Sequence, residues 1–128
     1  MAGKRILIIE DDADLVAALQ TALESAGYAV DSAANAREAW ERVRKARPDL
    51  AIVDIMLDTV DEGIQIVYQF RRDRKLRDMP IITLTAINQK LPLNIGPETE
   101  EGYLPVDRFI EKPVDPVQLL KEISDILK

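Results

Sequence analysis

The chain has 128 residues, of which 47% are apolar and 31% are charged, a composition typical of one folded domain of ordinary size. It contains neither cysteine nor histidine, which excludes disulfides, thiolate metal sites and catalytic triads that use histidine. The net charge of −6 argues against direct binding to nucleic acid. The apolar runs are too short for a membrane span or a signal peptide, so we expect a cytoplasmic protein that does not bind membranes.

The first half of the chain alternates short apolar runs with helical patterns. Residues 6–9 form a continuous apolar run, which is typical of a strand buried on both faces. Helical spacing of apolar residues predicts a helix over 12–26, and a weaker strand follows at 28–33. Asn35 and Glu38 form the pattern of a capping box, which indicates where a second helix begins.

The same alternation continues in the second half. Residues 50–53 are apolar and form the third predicted strand. An acidic loop over 58–63 is expected to lead into a helix that ends in the basic residues 71–75. Further strands are predicted at 81–85 and 108–111. Residues 115–118 combine an N-cap aspartate, a proline and a glutamine, and therefore begin the last helix.

The segment between the fourth and fifth strands departs from this alternation. Residues 86–106 contain three prolines and two glycines and have no sustained helical period. A simple alternation would place a helix here. We expect at most a short or distorted fourth helix, in an irregular but ordered segment whose rim serves as a partner surface.

Five strands that alternate with helices predict right-handed crossovers and a parallel sheet. The expected fold class is α/β, with a flavodoxin-like, doubly wound, five-stranded parallel sheet in the order 2-1-3-4-5. In this order strands 1 and 3 are neighbours. Ligands of such folds bind beyond the carboxyl ends of the strands, at the switch point between those two.

Acidic residues follow both strands at this switch point. Glu10, Asp11 and Asp12 follow the first strand, and Asp54 closes the third. Like charges so close together are unfavourable unless a cation binds or protons are retained. Oxygen ligands without histidine or cysteine favour Mg²⁺, with Mn²⁺ as a substitute.

Two further polar residues end at the same edge of the predicted sheet. Thr85 closes the fourth strand, and Lys112 follows the fifth. A hydroxyl donor and an ammonium group beside a metal-bound carboxylate suit the binding of a phosphoryl group. Asp54 is then a candidate nucleophile that forms an acyl phosphate.

With these motifs the chain resembles the response-regulator receiver domain of two-component signalling. The resemblance covers essentially the whole chain, and the motifs arrive in the order of the family. They are Glu10-Asp11 after residues 6–9, Asp54 after residues 50–53, Thr85-Ala86 after residues 81–84, and Lys112-Pro113 after Phe109-Ile110.

The resemblance implies a role for each residue at this edge. Asp54 is implied to be the phosphoacceptor. The implied ligands of Mg²⁺ are Glu10, Asp11, Asp54 and the backbone carbonyl of Met56. The residues implied to bind the phosphoryl group or to switch are Thr85, Ala86, Lys112 and Phe109, although Phe109 fits a plain core position equally well.

The resemblance also implies the partners. We expect residues 1–128 to form a single receiver domain that takes a phosphoryl group from a histidine kinase or a phosphotransfer protein. Phosphorylation is expected to change affinity for a downstream output protein or an output domain. On this interpretation the chain is not an enzyme.

Two other functions stay open. One is a magnesium-dependent phosphatase with an aspartyl nucleophile, although Met56 stands where such enzymes carry a second acid. The other is a degenerate receiver that only binds partners, which the complete set of Asp11, Asp54, Thr85 and Lys112 argues against.

For several other charged and aromatic residues we expect a role in solvation or packing and not in the site. Asp58 stands where the family usually has proline, and Gly63 arrives slightly late in the same loop. We expect Asp58, Asp61 and Glu62 to be solvated loop charges. The basic residues 71–77 are expected to form a solvated helix end, and Trp40 to pack between helix and sheet.

Overall fold

A computed structural model describes residues 4–55, 60–86 and 106–127. Its five strands form one parallel sheet in the order β2-β1-β3-β4-β5, which confirms the predicted fold class. The strands are β1 (Arg5–Ile9), β2 (Ala29–Ala33), β3 (Leu50–Asp54), β4 (Ile81–Ala86) and β5 (Arg108–Lys112). The helices of the described ranges are α1 (Ala13–Ser25), α2 (Ala36–Lys45), α3 (Val60–Arg72) and α4 (Pro116–Leu127). None of these helices has the length and apolar character that crossing a membrane requires.

Helices cover both faces of the sheet, and successive strand residues point to opposite faces. In β1, Leu7 and Ile9 pack with residues of α2 and α3, whereas Ile6 and Ile8 pack with residues of α1 and α4. All five residues of β3 are buried. The continuous apolar runs of the sequence are therefore the central strands of a two-layered core.

Side-chain caps begin the helices where the sequence predicts them. Asp12 accepts hydrogen bonds from the backbone N–H groups of Asp14 and Leu15, and Asn35 accepts one from Glu38. The Glu38 carboxylate in turn accepts from the backbone of Ala34, one residue before the cap. These bonds fix the loops that follow β1 and β2.

The strand register brings the residues beyond the strands to one edge. Ile9 pairs with Val53, so that Glu10 and Asp54 come next on neighbouring strands. Ala86 pairs with Lys112 at the ends of β4 and β5. The carboxyl ends of these strands therefore meet, as the predicted order requires.

Two predictions about α3 are wrong at its ends. The helix begins at Val60, so residues 60–63 are helical and do not belong to the expected loop. It ends at Arg72, and turns follow over 73–79. The basic segment is also only partly solvated, because Arg71 Nη1 donates to the carbonyl oxygens of Arg77 and Met79, at 2.9 and 2.6 Å.

Asp58 lies outside the described residues. The irregular segment expected within 86–106 also lies outside them, except for its two ends, residues 86 and 106.

Gly63 allows α3 to approach the end of β3 directly. A Cβ atom at this position would lie 2.5 Å from the carbonyl oxygen of Ile55 and would also clash with the carbonyl oxygen of Asp54. Because these are backbone atoms, a side chain at position 63 could be accommodated only by moving the helix or the strand end.

We expect Gly63→Ala to lower the free energy of unfolding by roughly 1–3 kcal/mol, because overpacking outweighs the gain of about 1 kcal/mol that alanine gives a helix. Urea denaturation measures this change. Gln65→Ala, at an exposed position of the same helix, is the control and should stay within about 0.5 kcal/mol of the wild type. Equal or greater stability of Gly63→Ala would contradict the close packing.

Candidate functional site: the carboxyl edge of the sheet

Three carboxylates meet where β1 and β3 end. Glu10 directly follows β1, Asp54 is the last residue of β3, and each is only 2% exposed. Asp11 is exposed beside them. One oxygen from each of the three groups lies within 4.8 Å of the others. The predicted acidic cluster is therefore present in the described part of the chain.

Lys112 connects the two buried acids of this cluster. Its ammonium nitrogen donates a hydrogen bond to Asp54 Oδ2 at 3.1 Å and lies 3.1 Å from Glu10 Oε1. Lys112 ends β5, which is separated from β3 by β4. The long side chain therefore carries a positive charge across the edge of the sheet to the switch point.

The surroundings of Glu10 disfavour its charged form. Its Oε2 accepts a hydrogen bond from the backbone N–H of Asp12. The buried Oε1 forms an ion pair with Lys112 and accepts no hydrogen bond from the residues that the structure describes. Burial, with a further contribution from Asp54, raises the pKa of Glu10 to about 7. Although burial alone would lower the pKa of Lys112, the negative charges of Asp54 and Glu10 raise it overall.

The donor set of this cluster fits a hard divalent cation. All ligand atoms that Glu10, Asp11 and Asp54 offer are carboxylate oxygens, and the buried Glu10 Oε1 has no hydrogen-bond donor within residues 4–55, 60–86 and 106–127. Magnesium prefers such oxygens and commonly needs only one or two carboxylates. The backbone carbonyl of Met56, which the sequence adds to this set, lies outside the described residues.

The remaining predicted site residues occupy β4 and β5. Thr85 is buried and pairs in register with Glu111, and Ala86 ends β4 opposite Lys112. Phe109 is partly buried and packs against the core on the side of α2 and α3. Thr85 and Ala86 thus share the carboxyl edge with the acids, whereas Phe109 lies further back along its strand.

Glu62 has a structural role that sequence reasoning missed. The sequence predicts a solvated loop charge, but Glu62 lies in α3 and its Oε2 accepts a hydrogen bond from the backbone N–H of Ala36 at 2.9 Å. Ala36 begins α2, where unpaired N–H groups attract a carboxylate. Asp61 is also in α3 and not in a loop. No local pattern could have indicated the pairing of Glu62 with a different helix.

The raised pKa of Glu10 predicts how stability depends on pH in the absence of Mg²⁺. Because the pKa rises from its ordinary 4.5 to about 7 on folding, the stability that Glu10 contributes is fully present below pH 4.5 and is lost as the pH rises through 7. Glu10→Gln stays neutral throughout. When the pH is raised from about 5 to about 8, the free energy of unfolding of the variant should increase by roughly 1–3 kcal/mol relative to that of the wild type.

Urea denaturation at the two pH values measures this gain. Glu24→Gln, which removes an exposed acid from α1, is the control and should show little difference between them. A gain of Glu10→Gln that is the same at both pH values would mean that Glu10 does not retain a proton in the folded protein.

Comparison with known proteins agrees with this geometry. The family model of the response regulator receiver domain matches residues 6–124. The transcriptional regulatory protein PhoP for alkaline phosphatase synthesis in Bacillus subtilis is 32% identical over 126 residues, which are 98% of this chain and 49% of that protein. The phosphate regulon regulatory protein PhoB of Pseudomonas aeruginosa is 34% identical over 128 residues, which are 100% of this chain and 53% of that protein.

The chain thus spans about half the length of these curated relatives. It can also be superimposed on the chemotaxis protein CheY4 of Vibrio cholerae with a TM-score of 0.81 at 28% identity, covering 98% of this chain and 100% of that one. The match to the family model extends over nearly all of the sheet and helices described above. The chain therefore belongs to the response regulator receiver domain family.

Proposed function

We propose that Asp54 is the phosphoacceptor of this receiver domain. The observation that carries the proposal is the position of Asp54: a buried carboxylate at the end of β3, hydrogen-bonded to Lys112 and adjacent to two further acids. Membership of the family supports the same role. The raised pKa of Glu10 disfavours its carboxylate form and makes it a weaker nucleophile. Asp11 is more exposed, so its position is less well defined.

In the proposed reaction an oxygen of Asp54 forms a bond to phosphorus as the bond between phosphorus and a donor histidine nitrogen breaks. The electron pair of that bond stays on the imidazole, which takes up a proton from solvent, and Asp54 becomes an acyl phosphate. Because the 128 residues contain no histidine, the donor nitrogen lies outside them, on a histidine kinase or a phosphotransfer protein.

The chain's own residues would stabilise the charge of the transferred group. The ammonium group of Lys112 is 3.1 Å from Asp54 Oδ2, a position that supports pairing with phosphoryl oxygens. Thr85 lies one residue before the end of β4 at the same edge, and its hydroxyl is the proposed hydrogen-bond donor, with the backbone of Ala86 beside it. For Phe109 we propose a switch role coupled to its contacts with the core.

Glu10, Asp11 and Asp54 are the proposed ligands of Mg²⁺, together with the carbonyl of Met56. The ion, when bound, offsets the negative charge of the carboxylates and of the incoming phosphoryl group. Its ligands must be deprotonated, so binding would release the proton that Glu10 retains near neutral pH. Receiver domains in general accept phosphoryl groups and do not turn over substrates, and we propose the same for this chain.

The partners of the whole protein follow from the two kinds of relative. The curated relatives are transcriptional regulators about twice the length of this chain, whereas the chemotaxis protein has the length of the receiver alone. We propose that residues 1–128 form one receiver domain, located in the cytoplasm, and that an output domain or a separate output protein responds to phosphorylation. The net charge of −6 disfavours direct contact of these residues with DNA, so we assign DNA contact to such a partner.

We expect Asp54→Asn to abolish phosphorylation while the protein stays folded, because the amide keeps the volume of the side chain and removes the anionic nucleophile. The measurement is intact mass after incubation with acetyl phosphate and Mg²⁺, with phosphate release followed in parallel. Asp12→Asn is the matched control, since asparagine caps a helix as well as aspartate does.

The wild type and Asp12→Asn should each gain one phosphoryl group. A gain in Asp54→Asn would assign the acceptor to another residue. Continuous release of phosphate without a stable mass increase would support the phosphatase alternative, and no reaction in any variant would support the degenerate receiver.

We expect Mg²⁺ to raise the free energy of unfolding of the wild type by roughly 1–3 kcal/mol when it is present at about ten to a hundred times its dissociation constant. Asp11→Ala should lose most of that gain, because it removes the exposed carboxylate of the cluster. Thermal unfolding with and without Mg²⁺ measures the effect. Asp14→Ala removes an exposed acid from the first turn of α1 and should keep the full gain. The assignment fails if Asp11→Ala responds to Mg²⁺ as strongly as the control does.

A further inference from the structure

A cavity of about 730 Å³ opens between the end of α2 and the turn that follows α3. The side chains that matter here come from both elements: Trp40, Arg44, Arg47, Arg72, Arg74 and Lys75. Both helices end here, and β3 and β4 begin just after the lining segments. The cavity therefore lies at the opposite edge of the sheet from Asp54 and has no part in the proposed phosphoryl site.

The charge of this cavity is opposite to that of the protein as a whole. Five cationic side chains line it, against the single carboxylate of Asp73, although the net charge of the chain is −6. The Asp73 carboxylate already accepts a hydrogen bond from the backbone of Lys75 at 2.8 Å. The ion pairs of the described residues involve other cations. Two helix C-termini contribute only about −0.5 charge each, so a positive excess of about three charges remains.

Part of the cavity wall is held in place by fixed contacts. Trp40 Nε1 donates to Gln69 Oε1 at 3.0 Å, and its ring meets that of Phe70 edge to face at 5.1 Å between centroids. The guanidinium of Arg44 lies 5.7 Å from the Trp40 centroid, within the range of a cation–π contact. Arg47 donates to the carbonyl oxygens of Lys75 and Pro48, at 2.7 and 3.1 Å. Less side-chain entropy is therefore lost when a ligand binds.

We propose that this cavity binds a small anion that carries a chain of two or three phosphates. Four of the five cations are arginines, whose planar forks match phosphate oxygens. The volume lies within the range of about 300–1,000 Å³ that is usual for small-ligand sites. The cations also converge on one cavity instead of following an extended track, which favours a compact polyphosphate over an acidic peptide. Free polyphosphate and the phosphate chain of a nucleotide share this chemistry.

Trp40 makes the proposal testable, because it is the only tryptophan of the chain and lines the cavity. Inorganic tripolyphosphate, titrated without Mg²⁺, should give a saturable change in tryptophan fluorescence. The affinity should fall between about 10 mM and about 150 mM salt, since the Debye length shortens from about 30 Å to about 8 Å. Calorimetry with a nucleoside triphosphate identifies the source: equal affinity means that the phosphate chain alone is bound, and tighter binding means that the base contributes.

The decisive variant is the double substitution Arg72→Gln and Arg74→Gln, at exposed side chains without an ion pair among the described residues. We expect tripolyphosphate to bind about tenfold more weakly to it. Arg37→Gln removes an exposed arginine from the other end of α2 and should leave binding unchanged. Lys112→Ala should also leave it unchanged, which separates this cavity from the phosphoryl site. Acceptance of a phosphoryl group from acetyl phosphate should be the same in the double variant as in the wild type.

Three results would overturn the proposal. One is the absence of saturable binding at low salt, and another is an equal loss of affinity in Arg37→Gln or in Lys112→Ala. The third is tighter binding of a short glutamate peptide than of tripolyphosphate, which would make the cavity a docking site for an acidic protein segment. Circular dichroism of each variant, compared with the wild type, separates loss of binding from loss of folding.

Discussion

The ion pair of Lys112 with two buried carboxylates is the interaction on which the site depends. Asp54 and Glu10 are almost inaccessible to solvent, and a buried charge is costly unless it is paired. The lysine that pairs with Asp54 is 58 residues away in sequence, so the contact forms only when β5 has joined the sheet beyond β4. The charge balance of the site therefore depends on the strand order and on the register of the sheet.

The charges of the site are not balanced, because it has more carboxylates than ammonium groups, and this excess of negative charge favours a divalent cation. One ammonium group faces up to three negative charges. In the described part of the chain Glu10 Oε1 is buried and accepts no hydrogen bond, and the pKa of Glu10 is raised to about 7. A divalent cation held by these carboxylates would balance the excess and leave the ammonium group of Lys112 to pair with an incoming phosphoryl group. The fold tolerates an unfavourable charge cluster at this edge because the core of the sheet, with β3 buried along its whole length, stabilises the rest.

How far the sequence predicts this molecule depends on which features are local. Residues 6–9 of β1 and 50–53 of β3 are continuous apolar runs. A residue at the end of a parallel strand must lie at the carboxyl edge of the sheet, so Glu10, Asp54, Thr85 and Lys112 are placed by topology alone. The start of α3 at Val60 is not predicted, because acidic residues suit a loop and a first helical turn equally well.

Contacts between separate elements are also beyond the sequence pattern. The close approach of Gly63 to the backbone of Asp54 and Ile55, and the hydrogen bond from Ala36 to Glu62, depend on how α3 packs against β3 and α2. The basic cavity has the same origin. Arg44 and Arg72 are ordinary residues of a helix end when considered singly, and the cavity exists only because the two helix ends come together. Helix α3 thus begins near the carboxylates at the carboxyl edge of the sheet and ends at the basic cavity at the opposite edge.

The most direct test of the account is to locate the acyl phosphate chemically. Borohydride reduces an aspartyl phosphate to homoserine, which marks the modified residue permanently. After incubation of the wild type with acetyl phosphate and Mg²⁺, reduction, proteolysis and peptide mass spectrometry should find homoserine at position 54. Homoserine at position 11 or 12 instead, or phosphorylated protein without homoserine at position 54, would contradict the claim that the carboxylate paired with Lys112 is the acceptor.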